Sequence, residues 1–233
     1  MPPLMHPRPQ PLNDALKPLL KLDQTTLVAA ANLLAARDPA LADVLNRFGP
    51  PPLWQRPATF ATLVRIILEQ QVSLASAKAT FDRLKTSCGG RVSASSVQTL
   101  DDTTLRTIGL SRQKARYVRE LALAVTQRRF SIEGLRRCDD AEASNRIRSL
   151  VGFGAWSADV YLMMALLRPD VLPLGDLGLV KGIAELDQKP FESREEIGER
   201  AERWRPWRSV ATRMIWQLYL VNRGKDVSSI ASG

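Results

Sequence analysis

From Asp23 onward the chain is punctuated for helices at intervals that leave no room for strands. Asp23 can cap a run reaching Ala36. Asp38-Pro39 sets a capping carboxylate before a proline at the first helical position, and Gly49 ends the helix that this pair opens. Residues 50–57 read as a stiff connector, and Thr59 to Gln71 then places Phe60, Leu63, Ile66 and Ile67 on one face. Ser73 opens a helix that runs to Gly89-Gly90, a short helix precedes Gly109, and Ser111 opens one through Arg128. Another spans 140–150. Ala155 to Leu167 is apolar nearly all round, as a buried helix should be. Asp176 stands at the N-cap of a helix through Leu186, Ser193 and Glu196 make a capping box for 194–204, and Pro206 begins a last helix to about Asn222. The expectation is an all-α fold of around ten helices. Residues 1–11, rich in proline, read as a flexible leader. Residues 12–233 then form one two-lobed domain: a middle lobe over about 74–170, and a second lobe made by the N- and C-terminal helices.

Composition removes much of the available chemistry. The sole histidine is His6, inside the leader, so no catalytic triad, imidazole shuttle or ordinary zinc site can be built. Cys88 and Cys138 are far apart and form no C-x-x-C pair. That excludes a four-cysteine cluster and fits a reducing, intracellular, cytoplasmic setting. There is no P-loop, no signal-peptide core and no run long enough to span a bilayer. A formal charge of +9 favours a polyanionic partner, although solvated basic helix faces would give the same balance. Any reaction must rest on carboxylates, hydroxyls, amides or backbone groups.

Two neighbouring segments stand out. The first is Leu150-Val151-Gly152-Phe153-Gly154-Ala155-Trp156-Ser157-Ala158, where two glycines flank a hydrophobic residue between two helices. Glycine permits the positive φ of a tight hairpin, and the N–H groups opening the second helix can point together at a phosphate. The second is Pro173-Leu174-Gly175-Asp176-Leu177-Gly178-Leu179, a turn that delivers a carboxylate to a helix start. Taken singly, the glycines read as a plain turn, Asp176 as an N-cap, and Trp156 and Trp216 as core aromatics.

Together, and in this order, the segments resemble the helix-hairpin-helix DNA glycosylases with a Gly/Pro-rich loop and a following Asp, the HhH-GPD superfamily. Within it the pattern is similar to the 3-methyladenine DNA glycosylase II branch. The resemblance covers roughly 38–222. It also rests on Ile67-Leu68-Glu69-Gln70-Gln71-Val72-Ser73, on Gly109-Leu110-Ser111-Arg112-Gln113-Lys114-Ala115, and on Trp204-Arg205-Pro206-Trp207-Arg208-Ser209 with Ile215-Trp216. It implies a two-lobed helical fold with the active-site cleft between the lobes, acting as a monomer on damaged double-stranded DNA.

The resemblance also implies residue roles. Asp176 falls at the catalytic carboxylate, and Trp156, Val160 and Trp216 line the base pocket. Gly152, Phe153, Gly154 and Ser157 make up the DNA-binding hairpin, and Gln71 falls at the residue that fills the gap left by the flipped nucleotide; Lys181, one turn into the helix that Asp176 opens, is a further phosphate candidate by its own position. Backbone carbonyls of Arg148, Leu150 and Phe153 fall where a structural Na+ or K+ can bridge to phosphate; no other cofactor is implied. Val151, Ser157 and Val160 depart from the usual Pro, Thr and aromatic residue, the last altering the pocket. Bifunctional relatives carry a Schiff-base lysine where Trp156 stands, so hydrolysis that leaves the strand uncut is expected. A glycosylase for uracil, oxidised or mismatched bases is the alternative within the enzyme class. A non-catalytic DNA-binding hairpin module is the alternative outside it, although phosphate binding requires neither Asp176 nor Trp216.

Overall fold

The computed structural model describes residues 21–227; the leader 1–11 and His6 lie outside them. Among the described residues there are twelve α-helices and no strand. In chain order these are α1 (Gln24–Arg37), α2 (Pro39–Phe48), α3 (Phe60–Glu69), α4 (Leu74–Ser87), α5 (Ala94–Gln98), α6 (Asp102–Ile108) and α7 (Arg112–Thr126). A 3-10 turn at Glu133–Arg137 precedes α8 (Asp140–Arg148), α9 (Ala155–Met164), α10 (Leu177–Leu186), α11 (Arg194–Glu202) and α12 (Arg208–Val221).

The helix starts lie where capping chemistry puts them. The side chains of Asp23, Asp38, Ser73, Ser111, Asp176 and Ser193 each accept a first-turn backbone N–H. Such caps are worth about 0.5–2 kcal/mol each. Two details differ from expectation. The capping box at Ser193 is half made, because the Glu196 carboxylate accepts from Glu192 N at 3.3 Å instead of from Ser193. The last helix begins at Arg208, not Pro206, because Trp207 N bonds back to Trp204 O at 2.7 Å and closes a turn first. The additional helix α5 is five residues long, too short to show periodicity, and is set by a Ser93/Ser96 capping box.

Two apolar cores form. One gathers α3 to α9 around residues such as Leu63, Ile67, Leu121, Tyr161 and Met163. The other packs α1 and α2 against α10, α11 and α12 around Leu34, Leu41, Ile183, Trp204 and Met214. α3 therefore packs with the middle helices, ahead of the residue-74 boundary read from the sequence. Helix α9, buried over most of its length, ends at the seam: Leu166 belongs to the first core and Leu167 to the second. Helix α12 spans it, with Leu218 in the second core and Leu220 in the first.

The seam is tied by Arg213, which is fully buried on α12. Its guanidinium donates to the carbonyls of Leu53, Ser209 and Met163 at 3.0, 2.9 and 2.7 Å. Carbonyl dipoles replace water here, and burial pushes the group down to about 10. Arg213 thus joins the connector before α3 and the end of α9 to α12, which fixes the elements that frame the cleft.

Candidate active site

The hairpin between α8 and α9 is built on Gly152, whose φ is +88°. A Cβ there would also meet the Tyr117 ring at 2.3 Å, so backbone conformation and space both exclude a side chain. The Phe153 side chain turns inward and is buried in the first core, leaving its backbone at the hairpin. Gly154 caps α9 without a side-chain bond, so the first-turn N–H groups of α9 are not satisfied by a capping side chain. Ser157 is buried and its hydroxyl accepts from Gln70 Nε2 at 3.1 Å; the same nitrogen donates to Gly152 O at 2.8 Å. Gln70 thereby clamps the hairpin against the end of α3, a role its local sequence did not reveal. The Ser157 side chain is engaged internally for the same reason.

Twenty residues beyond Trp156, the loop after α9 turns Asp176 back toward it. Pro173 O accepts from Asp176 N at 2.8 Å, closing the turn that starts α10. The carboxylate then accepts three hydrogen bonds. Oδ1 takes Leu179 N at 2.8 Å and Trp216 Nε1 at 2.9 Å, and Oδ2 takes Trp156 Nε1 at 2.8 Å. Asp176 is therefore an N-cap and also the meeting point of two tryptophans from different helices. Trp216 is backed by Trp54, 6.1 Å away between ring centroids at 52°, and Trp54 is itself fixed by a 3.0 Å bond to Val227 O.

These groups line one cleft of about 1130 Å³ at the seam of the two cores. Its wall includes Gln71, Gly152, Phe153, Gly154, Trp156, Ser157, Val160, Asp176 and Trp216, so the structure brings nearly all the sequence candidates together. Gln71 is exposed on the α3–α4 loop in a left-handed backbone conformation, φ +57°, which projects it beside the hairpin. Lys181 is exposed on α10 but does not line the cleft, and neither do Arg148 and Leu150. The Leu150 carbonyl accepts from Phe153 N at 3.1 Å, which leaves one lone pair for a cation. Among the described residues no cluster of His, Cys, Asp or Glu could hold a metal ion.

Lys114, Arg56 and Glu69 also line the cleft and were not singled out from the sequence as site residues. Lys114 half-buries its ammonium on Leu68 O at 2.7 Å, at the open end of α3, and desolvation lowers its pKa. Arg56 and Glu69 form a buried fork, Nη1 to Oε2 at 2.9 Å and Nη2 to Oε1 at 2.8 Å. No local pattern marks such a pair, because its members come from a connector and a helix end.

Comparison with known proteins agrees with the helical fold. The family model described as HhH-GPD superfamily base excision DNA repair protein matches residues 64–206. A Mycobacterium tuberculosis protein named probable bifunctional transcriptional activator/DNA repair enzyme AlkA is 28% identical over 162 residues, which is 66% of this chain and 32% of that protein. A Bacillus subtilis DNA-3-methyladenine glycosylase is 25% identical over 79% of this chain and 65% of its own length. The chain thus spans about a third of the first relative and just under two thirds of the second. Among solved structures, a Schizosaccharomyces pombe 3-methyladenine DNA glycosylase in complex with abasic DNA superposes with a TM-score of 0.71 at 23% identity, covering 81% of this chain and 95% of that one. A Bacillus halodurans DNA-3-methyladenine glycosidase gives 0.71 at 25% identity, covering 85% and 92%.

Proposed function

We propose, from the premise that this chain belongs to the HhH-GPD superfamily of base excision DNA repair proteins, that it hydrolyses the N-glycosidic bond of alkylated purines, of the 3-methyladenine and 7-methylguanine type, in duplex DNA. The observation that carries this reading is the carboxylate of Asp176, held by two indole N–H groups and a helix N-terminus inside the cleft. Breaking the bond leaves positive charge on the sugar. A fixed carboxylate beside that cation lowers the barrier and orients the attacking water, and a site sheltered from bulk water strengthens the effect. An alkylated purine already carries positive charge, so it leaves readily and binds well against the faces of Trp156 and Trp216.

In this reading the hairpin positions the duplex. The open N–H groups of α9 meet a phosphate, carbonyls of Arg148, Leu150 and Phe153 would hold a Na+ or K+ that would add positive charge to this phosphate site, and Lys181 meets a neighbouring phosphate. These are hard oxygen donors, which suit such a cation. Gln71 enters the stack where the base has left. Trp156 at the Schiff-base position makes the enzyme monofunctional. No described helix is long and apolar enough to cross a membrane. The protein acts as an intracellular monomer.

The test is incubation of the wild-type protein with methylated duplex DNA and chromatography of the released bases. Free 3-methyladenine and 7-methylguanine should appear while the strand stays intact until hot alkali is added. Release of uracil or an oxidised base from matching duplexes, with none from methylated DNA, would favour the other lesion class. Binding without any release would leave a DNA-binding module.

A further inference from the structure

Resting on that reading, the geometry points to the Arg56–Glu69 ion pair as the element that reads the hydrogen-bonding edge of the extruded purine, making both residues specificity-determining. Their side chains retain 6% and 8% of their exposure, yet both line the same cleft as Asp176. The wall between is apolar, made by Val160, Met164 and Leu220. Stability alone does not call for a buried ion pair here, since apolar replacement of such pairs is often neutral or stabilising. A pocket that is mostly apolar with a few fixed polar groups is instead the usual form of a ligand site.

The pair has unused bonding capacity. Each Glu69 oxygen takes one hydrogen bond from Arg56, and a carboxylate oxygen accepts two. Each terminal guanidinium nitrogen keeps a second hydrogen, and Arg56 Nε is buried with no partner at all. Donors and acceptors therefore lie side by side. That matches a purine edge, on which an adenine-type base sets an amino donor beside a ring-nitrogen acceptor, and a guanine-type base a carbonyl acceptor beside a ring N–H.

The placement fits as well. Trp156, Val160 and Met164 follow one another at four-residue spacing on α9, so the stripe is about 12 Å long at 1.5 Å per residue. Asp176 is bonded to Trp156 at one end, and Arg56 N donates to Met164 O at 2.8 Å at the other. A purine whose sugar meets Asp176 would extend its far edge toward the pair. Arg65 lies 3.8 Å from the same Glu69 oxygen and gives the trio a net positive charge. Selection by the pair is thus directional, through hydrogen bonds, and not attraction of a cationic base by charge.

The double variant Arg56→Met/Glu69→Met replaces the pair with apolar groups of similar reach. Single-turnover release of 3-methyladenine and 7-methylguanine from methylated DNA should fall about ten- to a hundredfold, the cost of one or two hydrogen bonds to charged groups. Affinity for an abasic-site duplex, in which no base occupies the pocket, should not change. Glu69→Gln, which turns one acceptor into a donor, should shift the ratio of the two released bases and serves if the double variant does not fold. Wild-type rates and ratio in both variants, or an equal loss of abasic-duplex affinity, would overturn the inference. A wild-type protein that releases neither base would instead defeat the reading on which it rests.

Discussion

The indole N–H of Trp216 donates to Oδ1 of Asp176 at 2.9 Å, so the ring proposed to stack on the base also holds the carboxylate. Trp156 does the same for Oδ2 at 2.8 Å. A tryptophan in this cleft is therefore not interchangeable with another aromatic residue.

Trp216→Phe keeps a ring but removes the donor. Net loss of a hydrogen bond to a charged group is worth about 1.5–3 kcal/mol, so excision by the phenylalanine variant should fall at least tenfold. Trp216→Ala should fall further, because base stacking contributes on the order of 1–3 kcal/mol. Single-turnover rates on one methylated duplex decide the matter. A phenylalanine variant as fast as wild type would show that the ring alone matters.

Gly152 is held at φ +88° against the Tyr117 ring. Gly152→Val should distort the hairpin and weaken damaged and undamaged duplexes alike, because phosphate contacts carry no sequence information. Titrations at several salt concentrations should also show a shallower log–log slope, by less than the full unit lost with a cationic contact. Unchanged affinity for both duplexes would remove the hairpin from the DNA interface.

Asp159 lies on α9 in a separate acidic cavity with Asp140, Asp170, Glu202 and Arg208. Burial pushes its carboxyl up to about 6, with Arg148 and Arg208 pulling it partly back. The folded chain therefore holds this proton more tightly than the unfolded chain, whose ordinary value is near 3.9. Its contribution is most favourable below about pH 4 and is lost as pH rises to about 6, a change on the order of 2–3 kcal/mol. Asp159→Asn should be stabilised relative to wild type at pH 7 and lose that advantage at pH 4.5. Urea midpoints at the two values measure it, and a constant difference between the proteins would contradict the assignment.

The helices were legible because their starts are written locally, in caps such as Asp38-Pro39, Ser111 and Asp176, each of which bonds as its residue type dictates. The glycine hairpin and the Asp176 loop were legible for the same reason. What the sequence hid is long-range bonding by side chains with ordinary local readings. Gln70 looks like a surface amide until Gly152 and Ser157 arrive from 82 and 87 residues away. Trp216 looks like a core residue until Asp176 is turned toward it from 40 residues away. Arg56, Glu69 and Arg213 are buried charges, whose burial depends on partners that no periodicity announces.

The central claim is that Asp176 carries the chemistry. The most direct measurement is single-turnover release of 3-methyladenine from a methylated duplex by wild type and by Asp176→Asn, alongside the affinity of each for an abasic-site duplex. Removing a group that stabilises transition-state charge costs on the order of a hundred- to a thousandfold, so release should drop at least that far. Duplex affinity should stay within a few-fold, since the asparagine side chain would retain an oxygen for the Leu179 N–H cap. Near-normal release by the asparagine variant would contradict the account.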